Sequence, residues 1–190
     1  MENSKKTYWL ILYLILAILA NTISSNLISI YYPSLPEAPD TFLRFVDGNW
    51  GILMKISEII IVICIITFIL YLSKSKESLN KSLFIVATFQ LFRAILMPLT
   101  PLKTIASHSF LSSFITFQEG LFPSGHTALP FLFFLLTYKK SKLSYFYLIS
   151  TVFVGFSLLL AKQHYTIDII ATIFIAYSIK VFTERNIKCF

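Results

Sequence analysis

The run GILMKISEIIIVICIITFILYL, residues 51–72, carries only two charged side chains, Lys55 and Glu58. At about 1.5 Å per residue, a helix of this length crosses the ~30 Å hydrocarbon core of a bilayer. Backbone amides find no partner in lipid, so such a run is predicted to be helical. Five further apolar stretches are of the same kind: residues 8 to about 30, 83 to about 99, 124–138, 143–161 and 164 to about 182. The sequence therefore predicts an all-α, six-helix membrane bundle that forms a single domain over residues 1–190.

Composition and charge distribution support a membrane protein and argue against a role with nucleic acid. The chain is 56% hydrophobic and 13% charged, with a mean hydropathy of +0.76, outside the range of soluble domains. Most of its sixteen basic residues fall on one side of the predicted spans: Lys5, Lys6, Lys74, Lys76, Lys81, Lys139, Lys140, Lys142, Lys180, Arg185 and Lys188. This excess marks the cytoplasmic side, which predicts that both termini are cytoplasmic. The net charge of +7 is therefore interpreted as a sign of membrane orientation and not of nucleic-acid binding.

The first span and the two cysteines have simple interpretations. Lys5 and Lys6, followed by an apolar core and small residues, also fit a cleaved signal peptide. The apolar stretch continues to Ile30, however, which favours a retained first helix. The fourth span, 124–138, is short, so its polar start is expected to be recessed below the membrane surface. Cys64 and Cys189 are predicted to be free thiols.

Two polar islands interrupt the spans, and both fall on the predicted non-cytoplasmic side. The residues 122–127, FPSGHT, open the fourth span, and the residues 164–168, HYTID, open the sixth. Arg93 lies toward the same end of the third span. Ionisable groups are costly at membrane depth, so their convergence at one depth predicts a functional site.

The first island has the features of a helix start that binds an anion. Ser124 is expected to be the N-cap, and Gly125 would let an anion approach the backbone without a Cβ in the way. Free amides and the helix dipole at that point favour a phosphate. His126 follows in the first turn, where its imidazole can face the anion. The alternative is an ordinary helix cap with a membrane-interface histidine.

The second island pairs a histidine with a carboxylate. The spacing of His164 and Asp168, i and i+4, predicts that they lie on one face of a helix. A carboxylate there can accept the imidazole N–H, fix the tautomer and leave the other nitrogen free to attack. The alternatives are a structural pair that ties two helices together and a metal-ligand pair, the latter weak without cysteines or an acidic cluster nearby.

At these residues the chain resembles a known family. The residues 120–126, GLFPSGH, resemble the PSGH signature of the type 2 phosphatidic acid phosphatase (PAP2) superfamily. The residues 161–168, AKQHYTID, resemble its last motif, His-x3-Asp, in wording most similar to the sphingomyelin synthase branch. The residues 92–100, FRAILMPLT, are loosely similar to the arginine-containing third-helix motif of that branch.

The resemblance implies roles for individual residues. It makes His164 the nucleophile that takes the phosphoryl group, Asp168 the residue that orients it, and His126 the acid that protonates the leaving oxygen. Phosphate binding falls to Ser124 and Gly125. The chain lacks a Lys-x6-Arg-Pro run before Pro123 and has Leu158 where the last motif has an arginine. Arg93 and Lys162 are the cations available in their place.

The sequence thus predicts an enzyme of the cell (inner) membrane with its active site on the non-cytoplasmic face. Its predicted partners are a lipid phosphate or phospholipid substrate and the surrounding membrane lipids, and the scheme requires no metal or other cofactor. Hydrolysis is favoured; phospho-headgroup transfer is the first alternative, and a non-catalytic transporter with the polar islands as a substrate gate is the second. His108, in the Ser/Thr-rich segment 104–116, is interpreted as a solvated loop residue.

Overall fold

The computed structural model describes residues 2–32, 34–35, 37–47, 50–103, 122–139 and 141–186, with the backbone alone for 2–4 and 76–77. Within these ranges the chain is helical and has no strand. Seven helices follow one another: α1 (Glu2–Tyr31), α2 (Thr41–Arg44), α3 (Gly51–Leu72), α4 (Lys76–Leu99), α5 (Gly125–Thr137), α6 (Leu143–Leu160) and α7 (Thr166–Asn186). The all-α prediction is confirmed.

Five of the helices are long and apolar enough to cross a membrane: α1, α3, α4, α6 and α7. The fourth predicted span corresponds to α5, which has 13 residues and is about 20 Å long, too short to span by itself. Large apolar side chains such as Ile15, Ile59, Ile69, Ile149 and Phe174 point away from the protein and are 49–69% exposed. Exposed apolar faces of this extent fit contact with lipid.

The helix bounds differ from the predicted spans most at two starts: α4 begins at Lys76 rather than near residue 83, and α1 begins at Glu2 rather than at residue 8. Ser75 is the N-cap of α4, and its side chain accepts a hydrogen bond from the Ser78 amide. The added polar turns are stabilised by α1, because the Thr7 hydroxyl donates to Asn80 Oδ1 over 2.7 Å. Helix α2 was not predicted; Asp40 caps it by accepting from the Phe42 and Leu43 amides.

Helices α1 and α4 run side by side in the same direction. Their polar contacts advance together along both helices, from Tyr13 with Thr88 to Ser24, whose hydroxyl donates to the Ala94 carbonyl over 2.7 Å. At the start of α4, Lys81 pairs with Glu184 near the end of α7. The first turns of α1 and the last turns of α7 therefore lie at the same end of the bundle.

The short helix α5 is the centre of the bundle and packs against α3, α4, α6 and α7. Phe133 of α5 stacks on Phe68 of α3 with ring centroids 4.0 Å apart, and Tyr147 of α6 meets both rings edge-on. Cys64 is a buried free thiol beside this core, as predicted; Cys189 lies outside the described residues. Because α5 is shielded by its neighbours, it does not need the length of a lipid-facing span.

Candidate active site

The start of α5 is built as the sequence predicts. Ser124 is the N-cap, and its Oγ accepts from the Thr127 amide at 3.4 Å and lies 3.2 Å from the Thr127 hydroxyl. Gly125 and His126 occupy the first two helical positions, where backbone N–H groups have no partner within the helix. The side chain of Ser124 is fully buried, whereas His126 is partly exposed.

The start of α7 corrects one prediction. The helix begins at Thr166, so His164 lies two residues before it and does not share a helical face with Asp168. The pair still forms, because His164 Nδ1 is 3.3 Å from Asp168 Oδ2. The same carboxylate oxygen accepts the Tyr165 amide at 2.9 Å, which satisfies one of the free N–H groups at the helix start. Asp168 is fully buried and His164 is 5% exposed.

The backbone turn before His164 explains why the helix starts late. Lys162 adopts a left-handed conformation with φ of 54° directly after α6. The Gln163 amide donates to the Leu158 carbonyl and the Lys162 amide to the Leu159 carbonyl, the pattern of a Schellman motif. This motif ends α6 and reverses the chain within a few residues. His164 and Asp168 are therefore four residues apart across a turn and the start of a helix. Sequence spacing alone does not distinguish this arrangement from a continuous helix.

The two polar islands are joined by hydrogen bonds at the Asp168 carbonyl. The Thr172 hydroxyl donates to this carbonyl at 2.6 Å, and the Ser124 amide donates to it at 3.5 Å. The same hydroxyl is 3.4 Å from the Ser124 carbonyl. Thr172 thus ties the start of α5 to the first turns of α7. Thr172 lies one turn after Asp168, and nothing in the sequence there indicates this role.

Arg93 of α4 reaches the same place from the other side. Its Nε donates to the Pro123 carbonyl at 2.9 Å, and its Nη1 donates to Asn21 Oδ1 of α1 at 3.2 Å. Asn21 is held in turn, because its amide nitrogen donates to the carbonyls of Ala17 and Gln90. The guanidinium is close enough to both Asp168 and His126 for electrostatic interaction.

The glycine of the first island lies against this arginine. A Cβ built on Gly125 would lie 3.4 Å from both Cζ and Nε of Arg93. The space that the sequence assigned to an approaching anion is therefore bordered by a guanidinium. Arg93 enters the site laterally from α4, and the position of the missing motif arginine, Leu158, is fully buried among Met54, Ile61, Val154 and Ala161.

Lys162 is the other cation that the sequence predicts at the site. Lys162 closes α6, and within the described residues its ammonium forms no hydrogen bond or ion pair. His108 lies outside the described residues. Among those that are described, no group of three or more His, Cys, Asp or Glu side chains is arranged to hold a metal ion.

The site therefore brings two histidine rings together in an edge-on arrangement. The ring centroids of His126 and His164 are 6.3 Å apart, with their planes inclined at 64°. Asp168 Oδ2 binds the His164 ring, whereas Asp168 Oδ1 is buried and has no hydrogen-bond partner among the described groups. This arrangement provides an oriented imidazole, a second imidazole, a buried carboxylate and a fixed guanidinium at one helix N-terminus.

Comparison with known proteins supports the predicted family. Residues 121–185 match the family model described as PAP2 superfamily C-terminal. The match contains both polar islands, α5, α6 and nearly all of α7, and it confirms the resemblance to the PAP2 superfamily. No curated protein matches the chain.

Proposed function

We propose that the chain is an integral membrane phosphatase that hydrolyses a phosphate ester of a membrane lipid, with His164 as the nucleophile. The observation that supports this most directly is the convergence of the His164–Asp168 pair, His126 and Arg93 at one end of an apolar bundle. The PAP2 match suggests phosphatase-type activity in general. The long apolar helices fit a membrane protein, which makes a membrane lipid the natural substrate.

In the proposed first step, His164 attacks phosphorus. A carboxylate only accepts hydrogen bonds, so the contact with Asp168 Oδ2 assigns the proton to Nδ1 and leaves the Nε2 lone pair for attack. The N–P bond forms as the P–O bond to the lipid breaks, and His126 gives a proton to the leaving oxygen. Asp168 stays ionised and stabilises the positive charge that develops on the His164 ring.

In the second step, water takes the place of the lipid alcohol. His126, now neutral, accepts a proton from the water as its oxygen attacks phosphorus, and the N–P bond breaks to return the electron pair to His164. Inorganic phosphate leaves. During both steps the N-terminal amides of α5 and the Arg93 guanidinium face the phosphoryl oxygens, and such preorganised donors stabilise developing negative charge.

Product analysis tests this function. Purified protein is incubated with a radiolabelled lipid monophosphate in mixed micelles, with a labelled isoprenyl diphosphate, and with a labelled phosphatidyl donor plus excess diacylglycerol or ceramide. We expect labelled inorganic phosphate from a lipid phosphate. Label in a new lipid without free phosphate would instead establish the headgroup transferase, and no covalent change in any substrate would leave the transporter as the better explanation.

The proposed topology has six membrane segments, with α5 as the short, central one, and all residues form one domain. Both termini are cytoplasmic in this proposal, supported by the basic residues near the shared end of α1, α4 and α7. The polar islands lie at the opposite end of the bundle. This puts the active site on the non-cytoplasmic face of the cell (inner) membrane.

Cysteine accessibility tests the topology in a Cys189→Ser background, since Cys64 is fully buried. A cysteine at Lys74, between α3 and α4, is expected to react with a membrane-impermeant maleimide only after the cells are opened. A cysteine at Phe45, which is 82% exposed at the other end, is expected to react in intact cells or spheroplasts. The reverse labelling pattern would put the active site on the cytoplasmic face.

A further inference from the structure

A group of hydrogen bonds to Asp40, which is outside the proposed catalytic residues, fixes the start of α7. Asp40 Oδ2 accepts the backbone amide of Thr166 at 2.6 Å, and Asp40 Oδ1 accepts the Thr166 hydroxyl at 3.1 Å. The same Oδ1 accepts the amides of Phe42 and Leu43 in α2, at 2.9 and 3.3 Å. One carboxylate therefore caps its own short helix and, across 126 residues of sequence, the helix that carries Asp168.

Tyr165 connects the same segment to a third part of the chain. Its hydroxyl accepts the Ala38 amide at 3.2 Å and donates to the Lys103 carbonyl at 3.2 Å. The Lys103 ammonium, in turn, forms an ion pair with Glu37 at 2.9 Å. The tyrosine is 1% exposed, so these bonds are formed away from water. The segments before α2 and after α4 are thus both anchored beside residue 164.

His164 is held between two fixed points. On one side, the Schellman motif at Lys162 and Gln163 ends α6; on the other, Asp40 holds the first residue of α7. The His164 side chain is bound at 3.3 Å, a long contact for a charge-assisted hydrogen bond, which has a usual length of about 2.7–2.9 Å. A contact of that length orients the ring weakly, so the backbone on both sides must contribute to the orientation.

We propose that Asp40 is a positioning residue for His164, which sets the imidazole against Asp168 and the phosphoryl site by fixing the N-terminus of α7. The catalytic part of this inference rests on the proposed function; the structural part does not. Asp40 touches neither histidine, so it acts through the Thr166 backbone. Its carboxylate also complements the positive end of the α7 dipole.

The electrostatics of Asp40 agree with this role. Burial alone would raise its pKa, but the hydrogen bonds from Thr166, Leu43 and Phe42 outweigh that effect and hold the pKa below its ordinary value. The carboxylate is therefore favoured over the carboxylic acid in the folded protein. Because the folded pKa lies below the unfolded one, the stabilisation is present above the unfolded value and is lost as the pH falls through the folded value.

The test compares Asp40→Asn with Ser75→Ala. An amide at residue 40 cannot accept hydrogen bonds at both of its ends, so one end presents a donor to another donor. We expect kcat to fall about 10- to 100-fold, since small displacements of a reacting group have effects of this size. KM should change less than about twofold, because phosphate binding is unaffected. Ser75→Ala removes a single exposed N-cap hydrogen bond at the start of α4, the end far from the site, and should leave both constants unchanged.

A second readout does not depend on turnover. The ¹⁵N resonances of the His164 ring report its tautomer, and His108→Gln and His126→Gln spectra assign them among the three histidines. In Asp40→Asn we expect the Nδ1-protonated form to lose population. If wild-type protein hydrolyses no lipid phosphate, the proposed function fails and these spectra still decide the positioning.

Two results would overturn the positioning role. One is an Asp40→Asn protein that is less stable yet keeps wild-type kcat and wild-type His164 resonances, which would make Asp40 a stabilising cap only. The other applies if Asp40→Asn does not fold, in which case Thr166→Val is tested instead. This variant removes only the 3.1 Å hydroxyl bond to Asp40, so the positioning role predicts a smaller fall in kcat and a smaller change in the His164 resonances. Unchanged kcat and resonances in Thr166→Val would in that case contradict the inference.

Discussion

His164→Ala is expected to lower turnover at least about 10³-fold, because it removes the atom that forms the covalent bond to phosphorus. The remaining groups, His126, Arg93 and the α5 amides, still bind substrate, so KM should change much less than kcat. The ring has 5% exposure and its truncation leaves a small buried cavity, so the variant must be compared as folded protein. The measurement is phosphate release per folded molecule, with folding followed by circular dichroism.

Asp168→Asn tests the role of Asp168 in orienting the His164 ring, while the nucleophile itself stays in place. The amide oxygen can still accept both hydrogen bonds made by Oδ2, but the neutral side chain no longer balances the charge on the His164 ring, so turnover is expected to fall about 10²- to 10⁴-fold. Asp168 Oδ2 also accepts the Tyr165 amide, and an amide oxygen in the same place can keep that hydrogen bond. If the pair were only structural, stability would fall while the turnover of the folded fraction stayed at the wild-type level.

His108→Gln is the matched control for the histidine variants, since this third histidine belongs to neither motif. We expect it to keep wild-type turnover. An alkaline quench of the reaction with labelled substrate should retain label on wild-type and His126→Ala protein and none on His164→Ala. Near wild-type turnover in folded His164→Ala protein would exclude the phosphohistidine mechanism.

The helical architecture could be predicted because lipid imposes a simple rule on sequence. A long apolar run must satisfy its own backbone, so the bounds of α3 were predicted to the residue and those of α6 to within one. The rule fails where polar residues continue a helix beyond the apolar zone. The start of α4 is helical because Ser75 caps it and Asn80 bonds to α1, and neither contact has a hydropathy signal.

The site was predictable in its motifs but not in its supports. Ser124, His126, His164 and Asp168 stand in two short polar islands, and polarity within an apolar chain is conspicuous. Asn21, Asp40 and Thr172 act on residues 48 to 126 positions away, so their roles depend on the tertiary structure. A buried asparagine in the first span was the one available signal, because amides at membrane depth need partners.

Arg93→Lys is expected to lower turnover about 10²- to 10³-fold, the usual effect of losing one preorganised donor to transition-state charge. The charge is kept, but a single ammonium cannot reproduce the planar fork that contacts the Pro123 carbonyl and Asn21 Oδ1 together. We therefore expect weaker inhibition by inorganic phosphate alongside the loss in kcat. Arg44→Lys, at an exposed position of α2, is the matched control and should leave both quantities unchanged.

A purely structural arginine predicts a different pattern. Arg93 links α1, α4 and the start of α5. If it served only as a link, Arg93→Lys would unfold at a lower temperature, with unchanged turnover and phosphate inhibition in the folded fraction.

Gly125→Ala helps to distinguish the two roles of Arg93. Its added Cβ would meet the guanidinium at 3.4 Å, an ordinary van der Waals contact that the fold tolerates. A folded Gly125→Ala protein with weakened phosphate inhibition would assign the guanidinium and the α5 amides to one anion site. Anchoring the arginine at two acceptors serves such a site, because a cation that is already fixed loses little entropy when the phosphoryl group arrives.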